Sequence, residues 1–154
     1  FAHHFSGQGT AEALALYRSQ FVASPELSAP RPFLTVNAAV ADTSEEAERL
    51  ARPQLLQMVA LRTGQPLSAQ KSVEEAAAAV LPPAHQDLVD AMRRRWVIGD
   101  PDQARAQLAE LAATFDVDEV MVNPVAGALT GTDPGASPAR EQTLRHLAAV
   151  VPAH

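Results

Sequence analysis

An α/β fold built on parallel strands is predicted by three features of the chain. The first is the cassette Trp96-Val97-Ile98-Gly99-Asp100-Pro101, an amphipathic stretch to Phe115, and then Asp118-Glu119-Val120-Met121-Val122-Asn123. It reads as strand, capped helix, strand, and a crossover helix of this length is what parallel strands require. The second is the nearly continuous apolar run Phe33–Ala41, interrupted only by Thr35 and Asn37, as in a strand covered on both faces. The third is its successor Asp42-Thr43-Ser44-Glu45-Glu46, a helix-start signature in which Thr43 and Glu46 stand at capping-box spacing.

The elements follow in order. Gly7 and Gly9 form a turn, Thr10 is placed to cap the first helix, and Leu14, Tyr17 and Phe21 recur at helical spacing as its inward face. Ser24-Pro25 and Pro30-Arg31-Pro32 end that helix in a stiff connector. After the Phe33–Ala41 strand, the long helix buries Ala47, Leu50, Ala51, Leu55, Met58 and Val59. Pro53 removes one of its hydrogen bonds, so a kink or break is expected there. Gly64 and Pro66 stop it.

Residues 65–95 read as a helical insertion. Ser72 and Glu75 cap a short helix over 73–80, Pro82-Pro83 interrupts, and Leu88, Val89 and Met92 mark a second helix to Arg95. Trp96–Ile98 is a short buried strand. Asp100 and Pro101 are good N-cap and N1 residues for a helix with Ala104, Leu108, Leu111 and Ala112 inward. Val120–Val122 is the last strand. The glycine-containing stretch 124–137 is a long flexible loop, and a final helix from Ser137-Pro138 turns Leu144, Leu147 and Val151 inward.

Each strand is thus followed by a helix, four times if Phe1-Ala2-His3-His4-Phe5 is the exit of a first strand. That is the pattern of half a (β/α)8 TIM-type barrel, strands 5–8 with helices 5–8, forming one domain over 1–154; a small open parallel sheet is the alternative. The opening at Phe1 leads us to expect upstream sequence that was removed or lies in another polypeptide.

Composition narrows the function. The 154 residues suffice for one sizeable core, and 47% hydrophobic with 19% charged residues is globular. A net charge of −6 and a basic feature confined to Arg93-Arg94-Arg95 argue against nucleic acid, and that triplet ends a helical pattern, where cations suit the helix dipole. With no cysteine, disulfides and thiolate chemistry are excluded, and a cytoplasmic location is compatible. No apolar run is long enough to span a bilayer and no secretory signal is present, so no membrane partner is expected. Eleven arginines against the single Lys71, with abundant alanine, suggest a GC-rich bacterial genome.

Several phrases carry a family resemblance. Phe1-Ala2-His3-His4-Phe5 with Ala13-Leu14-Ala15-Leu16-Tyr17-Arg18, Val40-Ala41-Asp42-Thr43 with Glu46-Ala47, Val97-Ile98-Gly99-Asp100-Pro101, and Asp118-Glu119-Val120-Met121-Val122 occur in the order found in luciferase-like monooxygenases. The resemblance covers Phe1 to Val151 apart from the loop 124–137. It implies a β/α barrel that binds reduced flavin, either FMN or the deazaflavin F420, and oxidises a small organic substrate with dioxygen or by hydride transfer. It also implies a homodimer, a flavin phosphate grip in the preceding half of the barrel, and that N-terminal half as partner.

Barrel enzymes work at the C-terminal ends of their strands, which selects His3, His4, Phe5, Asn37–Ala41, Gly99 and Asn123. Of the adjacent His3 and His4, one would face the interior and serve as catalytic hydrogen-bonding group or proton relay; a strand-end histidine bonding a carbonyl is the plain alternative. Phe5 would pack on the flavin ring or in the core. Gly99 would offer helix N-terminal amides to a phosphate, although Asp100 and Pro101 oppose this and a helix cap explains the motif. Asn123 would meet a cofactor carbonyl or simply turn the chain before Pro124. Asn37 lies early in its strand for the mouth. No metal site is expected: His85, His146 and His154 are scattered without ligand spacing. No nucleophile elbow, P-loop or dinucleotide fingerprint occurs. A non-catalytic flavin-binding or structural half-barrel that pairs with another chain is the second reading, and a helix-rich interaction domain the third.

Overall fold

The structure is a computed structural model that describes residues 3, 4 and 7–150. The elements in chain order are α1 (Thr10–Gln20), β1 (Phe33–Val40), α2 (Ser44–Arg62), α3 (Val73–Ala77), α4 (Pro83–Arg93), β2 (Val97–Gly99), α5 (Pro101–Phe115), β3 (Glu119–Pro124) and α6 (Pro138–Val150).

Local chemistry sets the boundaries. Thr43 accepts from the Glu46 amide at the start of α2, Ser72 and Glu75 close a reciprocal capping box on α3, and Asp100 and Gln103 do the same on α5, with Pro101 at its first position. Thr10 does not cap α1. The N-cap is Gly9 in the left-handed region, and the Thr10 hydroxyl turns back to donate to the Gly7 carbonyl. Pro53 does not break α2, which runs on through it, buried. The neighbouring Leu50 carbonyl accepts the Gly127 amide at 2.7 Å from outside the helix.

All sheet pairings among the described residues are parallel, with strand order β2-β1-β3. This order corrects the chain-order pairing expected of the three strands: β1 is central and separates β2 from β3. β2 pairs only with the last three residues of β1, from Ala38↔Val97 to Val40↔Gly99. β3 pairs along most of β1, from Phe33↔Glu119 to Ala38↔Pro124. Right-handed crossovers leaving in opposite directions send their helices to opposite faces. Accordingly, Val36, Ala38, Val40 and Val97 form one core with Ala104 of α5 and Leu147 of α6, while Leu34 packs with Leu14 of α1. On the other face Ala39, Ala41 and Ile98 pack with Ala47, Leu50, Ala51, Leu55 and Val59 of α2, and with Val73, Val89 and Met92 of α3 and α4.

Other expectations change too. Tyr17 is exposed and stacks edge-on against Phe21, with ring centres 5.9 Å apart, so α1 anchors mainly through Leu14. Leu144 also faces out; Leu147 and Thr143 are the buried residues of that helix, and Val151 lies outside the described residues. The Thr143 hydroxyl accepts from the Val40 amide at 3.1 Å and donates to the Val40 carbonyl at 3.2 Å, replacing a ladder partner where β3 has ended. The stretch after β3 is tied down over its first half. Val125 donates to Ala38, Val73 to Ala128, and Thr130 bonds both Ser72 and Glu74. Hydrogen bonds on the exposed Glu74 carboxylate, the backbone ones foremost, hold its pKa below the ordinary value.

Candidate functional site

β1 and β3 alternate side chains across the sheet, so Thr35, Asn37 and Ala39 share a face with Glu119, Met121 and Asn123. The register sets Asn37 directly beside Asn123. The Asn123 amide Nδ2 donates to Asn37 Oδ1 at 2.8 Å, and Asn37 Nδ2 donates to the His4 carbonyl at 3.5 Å. His4 Nδ1 lies 2.6 Å from the Thr35 hydroxyl, and the His4 amide donates to the Thr35 carbonyl at 2.8 Å. A polar ladder thus crosses three chain segments on an otherwise apolar strand. Asn37 is 4% exposed, whereas Asn123 and Met121 lie open to solvent. Asn37 Oδ1 and Nδ2 are both engaged, whereas among the described residues no hydrogen bond takes up Asn123 Oδ1 or His4 Nε2.

The sequence-predicted residues separate into groups. His4 and Asn123 are brought together through Asn37. His3 and His4 lie in a turn rather than an extended strand, and they flank the N-terminal half of β1, not the C-terminal ends of the strands. His3 is 4% exposed; its Nδ1 sits 3.0 Å from the Thr10 hydroxyl and its ring packs on Phe115 at 5.0 Å. Burial, then the charges of Arg95 and His4, lower its pKa, so His3 is neutral at pH 7. Gly99 is at the far end of the sheet. A Cβ there would fall 2.9 Å from Gln103 Cβ, so the missing side chain makes room for the α5 capping box. Phe5 lies outside the described residues. No group of three or more potential metal ligands occurs among the described residues.

Asn37 was visible as the odd polar residue in an apolar run, but its depth in the strand obscured its neighbours. Thr35 was visible as the other interruption of that run, whereas Gln107 gave no local signal. The Gln107 carboxamide donates to the Ile98 carbonyl at 2.8 Å and accepts its amide at 3.0 Å, closing the free edge of β2.

A family model described as luciferase-like monooxygenase matches residues 1–117. Among relatives, the Bacillus subtilis (strain 168) protein YvbT, uncharacterized, is 32% identical over 123 residues, 80% of this chain and 36% of its own length. A luciferase-like monooxygenase of Escherichia coli (strain K12) is 30% identical over 123 residues, again 80% of this chain and 36% of that protein. The crystal structure of apo-MsnO8 matches with a TM-score of 0.76 and 27% identity over 97% of this chain and 43% of its own. Monooxygenase RslO1 from Streptomyces bottropensis shares the fold, with a TM-score of 0.51 at 18% identity. The chain spans a little over a third of the length of the curated relatives it matches.

Proposed function

Since the chain belongs to the luciferase-like monooxygenase family, we propose that it is the C-terminal part of a flavin-dependent monooxygenase acting on a small organic substrate. The ladder His4–Asn37–Asn123 carries this reading. An amide oxygen and an imidazole nitrogen, presented on a sheet face that is otherwise bare at Met121, match the alternating donors and acceptors along the edge of a flavin ring. The phosphate grip of the flavin would lie in the rest of the protein. FMN is the favoured cofactor; the deazaflavin F420 presents a similar pyrimidine edge and is the alternative.

The barrel belongs to this proposal. The short β2 covers only the upper end of its side of β1; below it, Thr35 already accepts the His4 amide. β1 and β3 would be neighbouring staves, with β2 as a spur at their C-terminal ends. Further strands from the complete polypeptide would continue from the outer edge of β3, and α1, α5 and α6 would lie outside the ring. α2–α4 would border its C-terminal end. A second copy of the chain would make the expected homodimer.

When bound, the reduced flavin supplies the electrons that activate dioxygen. This chain's part is to orient and exclude water. Asn37 fixes the rotamer of Asn123, so its carbonyl oxygen is aimed before the ring arrives. Thr35 holds the His4 ring by Nδ1, which leaves Nε2 to hold or pass a proton at the ring edge.

The test is titration of the complete polypeptide with FMN, followed by oxygen uptake with reduced FMN. Asn123→Ala and His4→Ala are expected to weaken flavin binding by about 5- to 20-fold each, roughly 1–2 kcal/mol per lost hydrogen bond. Flavin affinity equal to wild type in both variants would remove this face from the cofactor site.

A further inference from the structure

A second cleft lies at the opposite end of β2 from Gly99. It has a volume of about 750 Å3, and its walls include His3, Trp96 and Phe115 on one side and Arg93, Arg94 and Arg95 on another. The arginines follow from the end of α4, where positive charge is favourable beside free carbonyls. That explanation suffices for Arg93, which is paired with Glu48. It does not suffice for Arg95, whose guanidinium makes no hydrogen bond or ion pair with any described residue and whose Nε is buried without a partner.

Arg95 is also held in place. Gly7, at φ 69°, lies against its side chain: a Cβ at Gly7 would collide with Arg95 Cδ and come within 2.9 Å of Nε. Three carboxylates, Glu48, Asp90 and Glu110, line the same cleft. Glu48 is taken by Arg93, and Asp90 accepts from Gln86 at 3.1 Å. The groups that act electrostatically on Arg95 are Arg62 and Arg94; together with burial, the leading cause, they depress its pKa. The partly buried Arg95 side chain thus has a buried Nε without a partner and makes no ion pair among the described residues, although Glu110 shares the cleft.

We propose that Arg95, with Arg94 beside it, forms an oxyanion site in this cleft that takes a phosphate-bearing small molecule. The fork of the Arg95 guanidinium would bind two phosphate oxygens, and Arg94 would add charge from the exposed rim. His3 also lines the cleft, its Nδ1 3.0 Å from the Thr10 hydroxyl. The site does not depend on the flavin reading, because it shares no residue with His4, Asn37 and Asn123.

Calorimetric titration of the complete polypeptide with inorganic phosphate and with pyrophosphate, without flavin, tests it. Saturable binding is expected, weakening as salt rises from about 50 to about 300 mM. Arg95→Gln should reduce affinity at least about tenfold and Arg94→Gln about two- to threefold, whereas Arg105→Gln, which removes a surface pair with Asp102, should leave it unchanged. If Arg95→Gln fails to fold, the exposed Arg94→Gln still decides by its affinity and salt slope. Absence of saturable binding, or binding equal to wild type in a folded Arg95→Gln or in Arg94→Gln, overturns the proposal.

Discussion

The two edges of the sheet are finished in opposite ways. At β2, the carboxamide of Gln107 lies along the strand and serves the amide and carbonyl of Ile98, so a side chain takes the place of a neighbouring strand. At β3, among the described residues, no side chain bonds the outer backbone edge, and Met121 beside it is 52% exposed. An edge sealed by its own chain is a terminus of the sheet, whereas a bare edge with an apolar neighbour is a place to continue it. Pro124, which has no amide to donate, ends the stretch over which β3 could add a partner.

Four measurements break or sharpen that contrast. Gln107→Leu should act most strongly. It strips partners from two part-buried backbone groups, and urea denaturation should show a loss of about 2–3 kcal/mol; a loss below about 0.5 kcal/mol would mean that the β2 edge is not sealed by this residue. Next, Asn37→Ala should lower stability by about 1–2 kcal/mol and free the Asn123 side chain, seen as broadened amide resonances. An unchanged Asn123 signal would deny Asn37 its positioning role.

A pH effect should be smaller. Because the His3 pKa is lowered on folding, the unfolded chain binds the proton more readily as pH falls below its ordinary value of 6.5. The stability that His3 contributes is therefore complete above that pH and is lost as pH drops toward the folded pKa. Urea midpoints at pH 7.5 and 5.5 should differ less in His3→Gln than in wild type; an equal difference would assign the pH response elsewhere. Smallest in stability is Met121→Lys, expected within about 0.5 kcal/mol of wild type. Sedimentation of this 154-residue chain should nevertheless show any self-association through the β3 edge weakened. Association as strong as wild type would show that the bare edge is not the contact.

Much of the local structure was legible. The three strands, the long helix and the capping residues Thr43, Ser72, Asp100 and Pro101 fall where the sequence places them, because each signal lies within one turn of the element it starts. Misreadings came where a distant partner overrides a local rule. Pro53 stays in its helix, packed against Gly127, and the glycine-rich stretch is held by Ser72 and Glu74 rather than loose. Of the candidate site, His4 and Asn123 were readable as polar groups among apolar ones, but the Asn37 bridge between them was not, since it joins segments 33 and 86 residues apart.

By itself the sequence determined an α/β chain of parallel strands, its element boundaries and its family resemblance, all carried by periodicity, caps and short ordered motifs. Only the tertiary structure decided that β1 is central, that Gln107 and Thr143 stand in for missing strands, and that Arg95 Nε is buried without a hydrogen-bond partner among the described residues. The reason is physical. A residue's alternation or spacing states which way its side chain faces, but the group that satisfies it is chosen by register and crossover direction, and those are set by packing among elements far apart in the chain.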